Sequence, residues 1–208
     1  MSSRRKFLTS SVGAVAGTLA VSRSLAADTT GQPSVTEVAT LCGEWRFRTD
    51  PENRGTKNNW YGANVPGNDW RTVTVPHTWQ VEAALSDYRG VAWYWRDFDL
   101  PARNTSPSWQ ECAVRVEFEA VFHTATVWVN GRPAGEHVRK GYTAFTLDIT
   151  NLLQWERTNT IAVRVDSAFD QHMVPRGKSS DWANDGGIFR TGGLKPGERR
   201  PRQHRLDA

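Results

Sequence analysis

The chain has 208 residues, 38% of them hydrophobic and 23% charged, enough for one core of ordinary size that needs no disulfide staple. Its net charge of +4 misleads, because four of the 26 basic residues fall in 1–26 and five in 191–208, leaving 17 against 20 acids between them. Those 17 are scattered singly, which excludes the concentrated basic patch of a nucleic-acid footprint.

At the N-terminus, Ser3-Arg4-Arg5-Lys6-Phe7-Leu8 precedes a mild apolar stretch, Val12 to Val21, and a small-residue exit, Ser24-Leu25-Ala26. Arg4 and Arg5, followed by a large apolar residue and a weakly hydrophobic core, resemble a twin-arginine export signal, with an ordinary secretory signal as the alternative. The run is far shorter than the roughly 20 residues that span a bilayer, so no membrane span is expected. Residues 1–26 are expected to be this signal and 27–40 a polar lead-in. The product would then be exported, to the periplasm or outside the cell. An oxidising compartment permits a bridge between Cys42 and Cys112, but sequence cannot supply their separation. Two separate buried thiols are slightly favoured.

The body then reads as short strands parted by turns. Leu41 to Arg48 alternates, with Trp45 and Phe47 on one side. A loop rich in Asn, Gly and Pro follows, then Trp70 to Val75, then the aromatic run Ala92-Trp-Tyr-Trp-Arg-Asp-Phe-Asp-Leu100. Val114, Val116 and Phe118 face one way and Arg115, Glu117 and Glu119 the other, as a strand with one wet face requires. Thr124 to Val129 ends at Asn130-Gly131, a ready hairpin turn. Its return strand carries Pro133, which places it at an edge or near a bend. Thr146 to Ile149 precedes one helical turn, Leu152 to Gln154, capped by Thr150 or Asn151, and Ile161 to Val165 alternates again. No segment shows twelve residues of helical periodicity. An all-β sandwich or jelly roll is the expected fold.

Six short motifs lie in one order: Val75-Pro-His-Thr-Trp79; Ala92-Trp-Tyr94 with Phe98-Asp-Leu-Pro101; Val127-Trp-Val-Asn-Gly131; Glu136-His137 with Gly141-Tyr142; Leu147-Asp-Ile-Thr150; and Asp185-Gly-Gly-Ile-Phe-Arg190. Together they resemble the N-terminal sugar-binding domain of family 2 glycoside hydrolases, the β-galactosidase and β-glucuronidase group. The resemblance covers 41–190. It implies a jelly-roll β-sandwich like the galactose-binding domains, a carbohydrate partner of the β-galactoside or β-glucuronide class, and no cofactor. It also implies that an immunoglobulin-like domain and a barrel bearing two catalytic glutamates follow in whole enzymes. One aspartate of the family's N-terminal domain reaches the barrel's sugar pocket, and the motif places it at Asp181. A carboxylate accepts hydrogen bonds from two sugar hydroxyls in one plane. Trp182 beside it is the better candidate for ligand contact, against Trp79, Trp93, Trp95 and Trp128 as alternative stacking surfaces. For Trp45, Trp93 and Trp128, filling the sandwich core is the favoured role.

Departures from the family are Lys140 for a Gly, Ala144 for a Pro and Trp95 for a basic residue. After Arg190 the expected apolar closing strand gives way to a basic, Gly- and Pro-rich tail, expected to be disordered over 191–208 and to leave the sandwich without that strand. No catalytic residue is assigned within the chain, because a retaining glycosidase needs two carboxyls about 5–5.5 Å apart and the family carries both on the barrel. Asp181 to Gly186 departs from a calcium loop at Ala183, and no metal site is expected. Two functions follow. One is the sugar-binding domain of an exported β-glycosidase, present without its catalytic barrel and inactive alone. The other is a self-sufficient secreted lectin-like or protein-docking sandwich.

Overall fold

The computed structural model describes residues 39–64, 67–100, 112–169, 171–172 and 184–199. Among the described residues eleven strands run in chain order: β1 (Ala39–Thr40), β2 (Gly43–Asp50), β3 (Arg71–Val75), β4 (His77–Thr78), β5 (Val91–Phe98), β6 (Cys112–Phe122), β7 (Thr124–Val129), β8 (Arg132–His137), β9 (Phe145–Asp148), β10 (Asn159–Asp166) and β11 (Gly187–Arg199). All pairings are antiparallel. One sheet has the order β3-β2-β5-β10-β7-β8, the other β1-β11-β6-β9 with β4 also against β11. The all-β sandwich read from the periodicity is the fold.

The main core lies between the sheets. Trp45 and Phe47 from β2, Tyr94 from β5, and Val127, Val163 and Val165 from β7 and β10 meet Val114, Val116 and Phe118 from β6. The alternation that marks β6 in sequence is thus its division between core and solvent. β6 and β7 adjoin in the chain but belong to different sheets, so the chain changes sheet between Phe122 and Thr124. Asn130 and Gly131 both take positive φ, 52° and 74°, in the hairpin that returns to β8. β8, carrying Pro133, is an edge strand as expected. The helical turn falls at Thr150–Leu152, two residues early. Thr150 does not cap it; its hydroxyl pairs with Asp148 and receives the Val114 amide instead.

Three expectations need correction. First, β11 is the closing strand. It pairs with β6 from Gly187↔Phe122 to Arg199↔Cys112 and with β1 at Leu194↔Ala39. The segment from Thr191 is therefore strand as far as Arg199 rather than coil. Its composition hid this because backbone hydrogen bonds, not apolar side chains, hold most of it. Four register shifts along β11 absorb its irregular sequence, and Leu194 drops fully into the core. Second, Trp93 and Trp128 do not fill the space between the sheets. They lie on the opposite face of the six-stranded sheet with Trp60, Trp70 and Trp95, forming a second buried cluster. Trp93 stacks on Trp128 at 5.2 Å and Tyr61 stacks on Trp128 at 5.1 Å. The turn that follows β2 is pinned over this face by Asp50. Its carboxylate accepts the amides of Arg54 and Gly55, both at 2.8 Å, and the Trp93 indole N–H at 2.9 Å. Strand β5 is thus buried on both faces. Third, the two cysteines are thiols as favoured, but only Cys112 is buried, and Cys42 is exposed.

Candidate functional site

Asp181 and Trp182 lie outside the described residues, as do Arg4 and Arg5. The described residues that follow Asp181 in the chain, Asn184 to Ile188, are tightly held. Gly187 and Ile188 pair with Thr78 and His77 of β4. The Gly186 carbonyl accepts the Trp79 amide and the Thr78 hydroxyl, each at 3.2 Å. The Gly186 amide donates to Gln80 Oε1 at 2.6 Å, while Gln80 Nε2 donates to the Tyr88 carbonyl at 2.8 Å. Gln80 therefore ties this stretch to a second segment of the scaffold.

The two glycines are required by packing. A Cβ on Gly186 would fall 1.9 Å from Cζ2 of the fully buried Trp79 ring. One on Gly187 would fall 2.1 Å from the His77 carbonyl oxygen, and its φ of +148° disfavours a side chain in any case. Beside them, Asp185 and Arg89 approach to 4.0 Å.

Beneath the anchor, His77 is bonded through both ring nitrogens, Nδ1 to the Tyr94 hydroxyl at 2.8 Å and Nε2 to Glu82 at 2.9 Å. Arg71 Nη2 holds both oxygens of the same Glu82 carboxylate, at 2.6 and 2.7 Å. Burial lowers the His77 pKa, against the opposing pull of Glu82. Burial alone would raise Glu82, but the hydrogen bonds from Arg71 and His77 outweigh it and the net direction is down. Burial raises Tyr94 well above its ordinary value. These directions fix the protons. Tyr94 stays protonated and donates to Nδ1, and a neutral His77 donates from Nε2 to the carboxylate. With both nitrogens committed, this histidine braces β4 and has no lone pair left to act as a base.

The candidate stacking residues sort differently from expectation. Trp79 is 0% exposed and acts as the wall against Gly186. Trp93, Trp95 and Trp128 are 0%, 7% and 8% exposed, so none offers an open ring face to a sugar. His137 is buried, stacked on Phe145, with Nε2 at 3.1 Å from the Thr143 hydroxyl. Sequence reasoning missed the anchoring parts played by Trp79 and Gln80. The signal was present in the motif Val75-Pro-His-Thr-Trp79, but its partner lies more than a hundred residues away.

Residues 38–195 match the family described as glycosyl hydrolases family 2, sugar binding domain. The chain belongs to this family. The matched region extends past Arg190 into β11, in keeping with a closing strand that the family shares. A β-glucuronidase of Paenibacillus borealis is 31% identical over 145 residues, covering 68% of this chain and 23% of that protein. A β-galactosidase of Thermoanaerobacter pseudethanolicus is 38% identical over 123 residues, covering 59% of this chain and 15% of that protein. The β-glucuronidase of Ruminococcus gnavus, solved in complex with uronic isofagomine, shares the fold with a TM-score of 0.68 at 23% identity. That likeness covers 79% of this chain and 29% of the other. The family 2 sandwich described here thus spans less than a quarter of the length of its curated relatives.

The His77 network makes stability pH-dependent in a stated direction. A histidine whose pKa is lowered by folding stabilises the folded state fully above its unfolded value, 6.5. That contribution is lost as pH falls through the folded value. Below Glu82's unfolded value of 4.5 a second loss begins, because the folded carboxyl holds its charge to lower pH. His137, also lowered by burial, acts in the same window as His77, so the informative quantity is a difference. Urea denaturation between about pH 7 and pH 5 should show wild type losing stability more steeply than His77→Gln. Parallel curves would contradict the account.

Proposed function

We propose that this sandwich is the sugar-facing domain of an exported family 2 β-glycosidase. In this reading it presents Asp181 and Trp182 to a β-glucuronide or β-galactoside held by a catalytic domain of the same protein. The observation that carries it is the rigid seat at Gly186-Gly187, which leaves Asp181 five residues from a fixed backbone point. Support for the sugar class comes from the relatives, which are β-glucuronidases and β-galactosidases. The sandwich contributes orientation: a carboxylate held in place spends little entropy when it meets two hydroxyls. Bond cleavage needs the two closely spaced carboxyls of a retaining site, which the resemblance assigns to the barrel. The purified chain is therefore expected to bind or position a sugar and not to hydrolyse it.

The test is a chimera in which residues 39–199 replace the corresponding sandwich of the Paenibacillus enzyme. It should turn over a chromogenic β-glucuronide, and Asp181→Ala should lower kcat/KM by about 10- to 100-fold, the worth of a hydrogen bond to a charged group. Unchanged kcat/KM in that variant would remove Asp181 from the role, and turnover by the chain alone would refute the division of labour. Export rests on Arg4 and Arg5. Residues 1–30 fused to a folded reporter should carry it across the inner membrane, and Arg4→Lys with Arg5→Lys should stop it. Export of the double variant at the wild-type level would sink the twin-arginine reading.

A further inference from the structure

A cleft of about 850 Å³ opens on the outer face of the six-stranded sheet, beside the tryptophan cluster. That volume lies within the roughly 300–1,000 Å³ of small-ligand sites. Its walls include Arg46 from β2, Trp95 and Asp97 from β5, Asn68 and Trp70 just before β3, and Gln154 after the helical turn at Thr150–Leu152. Register explains why these distant residues converge. Arg46 stands opposite Trp95, and Asp97 is the next outward-facing residue on β5, a diagonal neighbour at about 7–8 Å.

Three features distinguish this cleft from an ordinary polar surface. Arg46 and Asp97 carry opposite charges on adjacent strands and are both exposed, and neither side chain makes a hydrogen bond or ion pair with a described residue. Trp70 is 96% buried and its indole N–H has no acceptor among the described residues. The Asp97 carboxyl is held above the usual range, first by partial burial and then by the neighbouring Asp99, so its charged form gains from incoming donors. The ligand is narrowed by the same groups. An anion meets Asp97, a cation meets Arg46, and an apolar molecule would strip water from both charges without return. A neutral polyol offers hydroxyls that donate to Asp97 and accept from Arg46, Asn68 and Gln154.

We propose that this cleft is a second carbohydrate site, which grips a neutral oligosaccharide through Arg46 and Asp97 and does not use Asp181. Thr160, opposite Asp97 on the neighbouring strand β10, also lines the cleft, which fixes it at the Phe98 end of β5. Recognition is through polar edges rather than stacking, because Trp70 and Trp95 are covered.

The full chain would be titrated with cellohexaose, laminarihexaose and xylohexaose at millimolar concentration, followed by tryptophan fluorescence and calorimetry. At least one should bind saturably, with a fluorescence change from Trp70 and Trp95. Arg46→Ala and Asp97→Ala should each weaken it at least about tenfold, and Asp181→Ala should leave it unchanged. Arg46→Gln and Asp97→Asn, which keep size and shape, guard against a misfolded alanine variant and should show the same loss. No binding of any of the three, or wild-type binding by the cleft variants, overturns the proposal. Loss of binding in Asp181→Ala alone would overturn it too, and would leave the Asp181 reading standing.

Discussion

The arrangement rests on one close contact, the Gly186-Gly187 backbone packed against His77, Thr78 and Trp79. Here β11 begins, so the contact starts the strand that completes the five-stranded sheet. Here too the chain emerges from the segment bearing Asp181. Neither glycine admits a side chain, and the hydrogen bonds on both sides of Gly186 leave its peptide groups no alternative partner. One joint thus closes the fold five residues after Asp181.

The joint is supported from below by charge and aromatic packing acting together. Phe47 and Tyr94 meet edge to face at 5.1 Å, and the Arg71 guanidinium lies 4.6 Å over the Phe47 ring. Arg71 then holds Glu82, Glu82 holds His77, and His77 Nδ1 accepts a hydrogen bond from the Tyr94 hydroxyl. Each polar group on this path has a partner, as partly buried networks require if they are not to cost stability. A second aromatic layer, under the Asp50-pinned turn, makes β5 and β10 the most enclosed strands. The sandwich therefore has three layers of packing over part of its area: sheet, sheet and tryptophan-rich turn.

Much of this was legible in the residues. The alternation of β6, with its one wet face, and the Asn130-Gly131 turn gave strand and hairpin directly; β7 and β10 alternate in sequence although tryptophan packing covers part of their outer face. Strand β5 was harder, since Trp, Tyr and Trp in succession signal strand but not that both faces are covered. β11 was misread because from Thr191 on it is held by backbone pairing to β6, with Leu194 in the core, a signal that hydropathy does not carry. Asp181 came from family resemblance alone. The outer cleft could not be seen, as its residues come from four segments that only sheet register assembles.

The central claim, that the glycine joint is fixed rather than a fluctuating loop base, has a direct readout in amide hydrogen exchange. The Trp79 amide, bonded to the Gly186 carbonyl, and the Gly186 amide, bonded to Gln80, should exchange only through global unfolding. Their protection should match that of Val163 in the middle of β10. Exchange of either at the rate of an open loop, with Val163 still protected, would contradict the account.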